Sequence, residues 1–202
     1  MKNRVLLAAL SASALFTSLF AQATAPAPAS APAAPATIAP PAAPRARVSP
    51  HEVISLKVDN NRVTLIYGRP YSKDPKSGAI RKIWGTLVPY GKVWRTGSDE
   101  ATTLITQKPL VFGSTTIPAG TYTLYWVLKE NGDSKLAFSR SIGKWGIPVD
   151  ETADVARVSF KKSELPAQID QLTIAVENTP TGGVIKVSWE KSQYAAEFTV
   201  KE

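Results

Sequence analysis

The chain has 202 residues, with 24 Lys and Arg against 16 Asp and Glu for a formal charge of +8, and it contains no cysteine. That composition excludes disulfides, a thiol nucleophile and a lipid-modified cysteine at a signal junction. A lone histidine, His51, disfavours zinc, whose usual ligands are Cys and His.

The first segment runs Met1-Lys2-Asn3-Arg4, then Val5 to Phe20 without a charge, then Ala21-Gln22-Ala23. Positive, apolar and small-x-small is the order of a secretory signal. The apolar run is interrupted by Ser11, Ser13, Thr17 and Ser18. It falls short of the roughly 20 apolar residues that span a bilayer. Residues 1–23 therefore read as a signal peptide cleaved after about Ala23, delivering a product without a transmembrane anchor to the periplasm or beyond. Residues 24–44 follow, 21 residues of which 10 are Ala and 7 are Pro. This composition favours extended polyproline II over a packed core. It reads either as a semi-rigid spacer or as a disordered tail.

Residues 45–202 amount to a single domain dominated by strand signals. Val53 to Val58, the pair Asp59-Asn60, and Asn61 to Tyr67 read as a hairpin whose second arm alternates Val63, Leu65 and Tyr67 on one face. Thr102 to Thr106 is β-branched. Gly120 to Leu128 is the strongest strand, with Tyr122, Leu124 and Trp126 on its core face. Asn131-Gly132 is a favoured two-residue turn, and Lys135 to Ser139 its return arm. Val155 to Phe160, Leu172 to Val176, Val184 to Trp189 and Ala195 to Val200 are strand-length, separated by links such as Glu164-Leu165-Pro166. The expected fold is all-β, an antiparallel β-sandwich with an open β-barrel as alternative, carrying a loop-rich segment at about 68–98.

Charge is concentrated in that segment. Residues 69–95 hold Arg69, Lys73, Lys76, Arg81, Lys82, Lys92 and Arg95 against Asp74 alone; the rest of the chain beyond residue 23 has 15 basic and 15 acidic residues. Tyr71, Trp84, Tyr90 and Trp94 share the stretch. Guanidinium forks pair with carboxylate or phosphate, and aromatic faces suit sugars. Arg69, Arg81, Trp84, Tyr90, Trp94 and Arg95 are therefore the ligand-binding candidates for an anionic or carbohydrate-like envelope component. A nucleic-acid partner, for which basic and aromatic residues are also a footprint, conflicts with export. In a structural alternative, Arg95 pairs with Asp99 or Glu100, the lysines are solvated and the tryptophans are core. The stretch could equally form a homodimer or partner contact.

The catalytic inventory is thin. His51 beside Glu52 reads as a surface residue near the domain's start, and no G-x-S-x-G elbow presents a serine. Ser-x-x-Lys at Ser159/Lys162 and Ser188/Lys191 falls on strands without partner motifs. Asp150, Glu151 and Asp154 lack the glycine-punctuated spacing of a calcium loop. No metal or cofactor is expected. A hydrolase would need two facing carboxylates; Asp99 and Glu100 are the weak candidates, with Glu190 as a distant partner. On a strand, adjacent Asp99 and Glu100 would point to opposite faces.

Tyr67-Gly68-Arg69-Pro70, then Ile83-Trp84-Gly85-Thr86-Leu87-Val88-Pro89-Tyr90-Gly91-Lys92-Val93-Trp94-Arg95-Thr96-Gly97, Glu100-Ala101-Thr102, Ile117-Pro118-Ala119-Gly120-Thr121-Tyr122 and Trp145-Gly146 resemble the bacterial family called domain of unknown function 2911. The resemblance extends from about Ser49 to Val200. It implies secreted or surface proteins of Gram-negative bacteria with no established activity. Two departures stand out: Ser98-Asp99 where the family usually has Ala-Asn, and extra residues Ser72 to Ala79. Gly97 is a turn-former between Arg95 and Glu100, and a turn there could pair the two. If export proceeds as read, the protein recovered from the periplasmic fraction begins at Thr24 by intact mass; a product retaining Met1 in the inner membrane overturns the reading.

Overall fold

The computed structural model describes residues 49–202; the signal-like and Ala/Pro-rich segments lie outside the described residues. Eleven strands follow in chain order: β1 (His51–Val58), β2 (Asn61–Gly68), β3 (Val93–Arg95), β4 (Thr103–Thr106), β5 (Leu110–Phe112), β6 (Thr115–Ile117), β7 (Gly120–Val127), β8 (Lys135–Ser139), β9 (Asp154–Ser159), β10 (Lys161–Thr179) and β11 (Gly182–Val200). A 3-10 turn, Glu151–Ala153, precedes β9. One sheet runs β1-β2-β4-β7-β8-β9, with β3 also pairing β7; the other runs β10-β11-β5-β6. The strand pairings are antiparallel. The sheets do not close into a barrel, so the sandwich expectation holds and the barrel alternative does not.

Local chemistry explains the elements. Asp59 and Asn60 have φ of 44° and 59°. Two successive left-handed residues match the right-handed twist of a hairpin, and Asp and Asn tolerate that region best after glycine. The resulting register, Val58 opposite Asn61, puts Val63, Leu65 and Tyr67 into the core. Asn61 is buried because its side chain joins β2 to the β4–β5 link. Its Nδ2 donates to Thr106 Oγ1 at 2.8 Å, and its Oδ1 accepts from the backbone N–H groups of Gln107 and Lys108 at 3.0 and 2.8 Å.

β7 sends Tyr122, Leu124 and Trp126 inward as the alternation predicts. Thr123 and Tyr125, on its opposite face, are buried too. The segment after β8 covers them: Ser141 O accepts from Thr123 Oγ1 at 2.8 Å, and Lys144 O accepts from Ala101 N at 3.1 Å.

Three expectations change. Asn131-Gly132 does not form a two-residue turn, because Leu128 is fully buried and the chain must pass it before turning. The two residues lie instead in a wider loop closed by Gly132 N to Lys129 O at 3.2 Å and Lys129 N to Ser134 Oγ at 3.0 Å. Glu164-Leu165-Pro166 is not a link but part of β10, and the strands read at 184–189 and 195–200 are one strand, β11. Pairing shifts register between Glu164 and Ile169 and again before Thr173. Such bulges insert unpaired residues and bend a strand, which is how a proline lacking an N–H is accommodated. Glu190, at φ 53°, sits opposite this bend. The short strands β3, β5 and β6 had no periodic signal to read.

Four of the five tryptophans meet in the core. Trp126 stacks on Trp94 at 5.2 Å and 21°, and lies 6.4 Å from Trp84, 6.0 Å from Tyr194 and 5.9 Å from Phe160. Trp189 contacts both Trp84 and Trp94 at 6.3 Å. Trp126, Trp189 and Tyr194 are fully buried, while Trp84 from the loop and Trp94 from β3 close the cluster. Trp126→Ala should therefore destabilise the protein by about 3–5 kcal/mol, the range for emptying a large aromatic site. Trp94→Ala should cost less, since Trp94 is partly exposed. Urea unfolding followed by far-UV circular dichroism checks both values, and equal losses would contradict the placement.

Candidate functional site

Two glycines bring the site's backbone together. At Gly68, where β2 ends, a Cβ would sit 2.2 Å from Ser98 O. Gly97 has φ 145°, and a Cβ there would lie 2.9 Å from both Gly68 O and Thr102 Oγ1. No side chain fits at either position. The segments interlock through Ser98 N to Gly68 O at 3.2 Å, and the Thr102 hydroxyl donates to Thr96 O. Asp99 then adopts φ 61°, a region in which Asp and Asn are enriched among non-glycine residues.

Arg69 is spent on joining the sheets. Its Nη1 lies 3.0 Å from Glu52 Oε2, its Nε donates to Leu172 O at 3.2 Å, and its Nη2 donates to Thr173 Oγ1 at 2.9 Å. Tyr67 completes the clamp. Its hydroxyl donates to Glu52 Oε2 at 2.8 Å and accepts from Ile174 N at 2.9 Å. Burial pushes the Tyr67 phenol up to about 12, offset in part by the Ile174 hydrogen bond.

Arg95 is also turned inward. Its Nη1 donates to Asp99 O at 2.9 Å and Trp145 O at 3.1 Å. Burial lowers its pKa, and the Asp99 charge opposes that. A Cβ on Gly146 would lie 3.2 Å from Arg95 Cδ, so the Trp145-Gly146 motif is the lid over this arginine. The expected turn thus brings Arg95 to the Asp99 carbonyl, while the Glu100 carboxylate faces His51.

His51 is where sequence reasoning missed. It is not a surface residue: its side chain is 17% exposed, and Nε2 lies 3.5 Å from Asp99 Oδ2 and 3.2 Å from Glu100 Oε2. Asp99 and Glu100 reach the same imidazole because they lie in a turn with Asp99 left-handed, not on a strand. Glu190 lies on β11, where burial raises its pKa and a hydrogen bond from the Trp84 side chain opposes the rise. Among the described residues no group of three His, Cys, Asp or Glu side chains is arranged to hold a metal. Asp154 and Glu151 are engaged by Arg157, and the Tyr125 hydroxyl donates to Asp154.

Arg81 differs from the other two arginine candidates. The chain after Gly68 is tied to β10 by Leu172 N to Pro70 O at 2.9 Å and Ser72 N to Asp170 O at 2.6 Å. It then folds into a small hairpin with Lys73 opposite Ile80. Asp74 holds the tip. Its Oδ1 accepts from Ser77 N and Lys76 N, both at 2.9 Å, and these donors lower its pKa. Arg81 follows, donating from Nη2 to Tyr71 O, with Nε buried and without a hydrogen-bond partner. The hairpin forms one wall of a cleft of about 300 Å³, lined by Tyr71, Asp74, Lys76 and Arg81 on that side and by Ser98 and Asp99 on the other. Ser98 Oγ and Asp99 Oδ2 are also buried without hydrogen-bond partners. Of the six candidates only Arg81 lines the cleft. Trp84 and Trp94 pack into the aromatic core, Tyr90 lies against it, and Arg69 and Arg95 hold structure.

The buried phenols make a pH prediction. Tyr67 and Tyr194 are both raised from 10.0 to about 12. Groups whose folded pKa exceeds the unfolded value contribute stability that is complete below the unfolded pKa and lost as pH rises through the folded one. Urea midpoints should fall between pH 10 and about 12, and Tyr67→Phe should flatten that fall. An unchanged slope in the variant would show that Tyr67 does not contribute.

Comparison with known proteins places this geometry in context. Searches of curated proteins and of solved structures find no match. A family model described as protein of unknown function (DUF2911) matches residues 49–198, which includes every residue of the cleft and of both arginine clamps. The chain belongs to the DUF2911 family.

Proposed function

We propose that this domain is an exported, non-catalytic binding module of the cell envelope, and that the cleft between the 72–81 hairpin and Ser98–Asp99 is its site for an anionic or carbohydrate-like ligand. One observation carries the reading. Arg81 is partly buried in the cleft wall and has no carboxylate within ion-pair distance among the described residues. An arginine in that position is available to pair with a ligand carboxylate or phosphate. The volume, about 300 Å³, stands at the lower end of small-molecule sites. Lys76 adds charge at the rim, and Tyr71 adds an aromatic wall.

A hydrolase draws on a different observation, the convergence of Asp99 and Glu100 on His51 beside the same cleft. Binding of isolated envelope polysaccharide by isothermal titration calorimetry separates the two. Arg81→Ala should weaken binding by about tenfold or more, equivalent to about 1.4 kcal/mol. Binding by the unaltered protein should also weaken as salt rises, because exposed charges are screened. An Arg81→Ala variant that folds and binds like the unaltered protein overturns the proposal. Breakdown of the polysaccharide during titration, lost in Glu100→Gln, would replace binding by hydrolysis.

A further inference from the structure

β2 sends Val63, Leu65 and Tyr67 into the core, so Arg62, Thr64, Ile66 and Gly68 point to the outer face of the sheet. Register sets Lys57, Ser55, Val53 and His51 opposite these residues on β1, and Ile105 and Thr103 opposite Thr64 and Ile66 on β4. The middle of this face, Val53, Ser55, Thr64, Ile66, Thr103 and Ile105, carries no charge. Val53 is 64% exposed and Ile66 and Ile105 are each 37% exposed, which makes them three of the six exposed large hydrophobics among the described residues. The solvated face of an antiparallel sheet is ordinarily polar, and an apolar patch with a polar rim marks an interaction surface.

The two ends of the strip carry opposite charge. At one end Lys57 lies directly opposite Arg62, and both are exposed. Like charges in that position repel. Neither has a carboxylate within ion-pair distance among the described residues, Asp59 of the intervening turn included. At the other end the 96–102 turn stands on the same face, since Ser98 O fills the place of a Gly68 side chain. It brings Asp99 and Glu100 to His51, and the Glu100 side chain is 41% exposed. Two carboxylates against one imidazole leave this end negative whichever form the imidazole takes. Lys144, whose carbonyl accepts from Ala101 N, has Asp150 within its field, so that pair adds no net charge.

We infer that two copies of this chain pack face to face through this strip, related by a two-fold axis that lies between the sheets and runs across the strands. That axis reverses strand direction from one copy to the other, so the Lys57–Arg62 end of each copy meets the Glu100 end of the second. An axis along the strands would set cations on cations, and charge rejects it. A surface that carries both halves of a complementary pattern is what a two-fold, self-complementary contact requires. The strip is about 20 Å long and three strands wide. That is small for an interface, so the dimer forms reversibly and at high concentration. The pairing does not depend on the cleft holding a ligand.

Sedimentation velocity of the purified chain between about 10 μM and 1 mM, where a small interface assembles, should show the weight-average mass rising toward twice that of the monomer. Ile66→Glu should weaken association by about tenfold or more, and so should Arg62→Glu. Added salt should weaken it as well. Ile80→Glu alters an isoleucine that is 80% exposed outside the strip, and it should leave association unchanged. These side chains are all exposed, so the variants keep the fold, which far-UV circular dichroism checks. Zero-length carbodiimide coupling in a mixture of isotopically light and heavy chains reads the axis: Lys57 should join Glu100 across copies. A chain that stays monomeric throughout, a dimer that survives Ile66→Glu, or one that Ile80→Glu breaks overturns the interface. A dimer that tolerates Arg62→Glu, or that links Lys57 only to carboxylates away from the 96–102 turn, overturns its orientation. None of these results bears on polysaccharide binding through Arg81.

Discussion

The carbonyl of Ser98 occupies the space where a side chain on Gly68 would be. This contact fixes the end of β2 against the 96–102 turn. Because the backbones touch, Asp99 is carried round to His51 at the start of β1 and Arg95 finds the Asp99 carbonyl. The chain leaving Gly68 goes outward along β10. Any residue larger than glycine at position 68 would push the turn away and separate the two walls of the cleft. The interlock is made of backbone, so its geometry does not rely on flexible side chains.

The aromatic cluster does for the loop what the glycines do for the turn. Between Arg81 and Val93 the chain contains no strand in the described fold, and backbone hydrogen bonding alone would leave it loosely held. Ile83 and Val88 are buried, and Trp84 wedges between Trp126, Trp189 and Tyr194. Offset and edge-on ring pairs add about 0.5–1.5 kcal/mol each beyond the area they bury. The same rings that made the segment look like a sugar platform are therefore what anchor it to both sheets. An aromatic residue in a loop has two possible uses, and its neighbours in space decide between them.

The legible parts of the sequence were those with local causes. The Asp59-Asn60 hairpin, the inward face of β7 and the two-layer antiparallel architecture follow from turn chemistry and period-two alternation. Continuous β10 was not legible, because Pro166 signals a break and only a long-range bulge against β11 permits it. His51 was missed for a similar reason. Its partners lie almost 50 positions away and reach it through a left-handed turn at Asp99 that adjacency on a strand would forbid. The charge count showed where cations gather but not which of them are committed, since commitment depends on acceptors from β10 and from the 140–150 segment.

Placing the acceptors divides the basic stretch. Arg69 and Arg95 each have two or more protein acceptors in reach, and removing either would take the cation from Glu52 or the donor from a pair of carbonyls. Arg81 has one, the Tyr71 carbonyl, with the Asp74 carboxylate acting on its charge from beyond ion-pair distance. Arg95 is held by carbonyls too, but by two of them and beneath Trp145-Gly146, whereas Arg81 stands in the wall of the cleft. The hairpin that carries Arg81 also brings Asp74 and Lys76 to the cleft wall, and it hangs from β10 rather than from the 96–102 turn that carries Ser98 and Asp99. The two walls of the cleft are therefore positioned by different elements, and a change in the hairpin can alter one wall without disturbing the glycine interlock that holds the other.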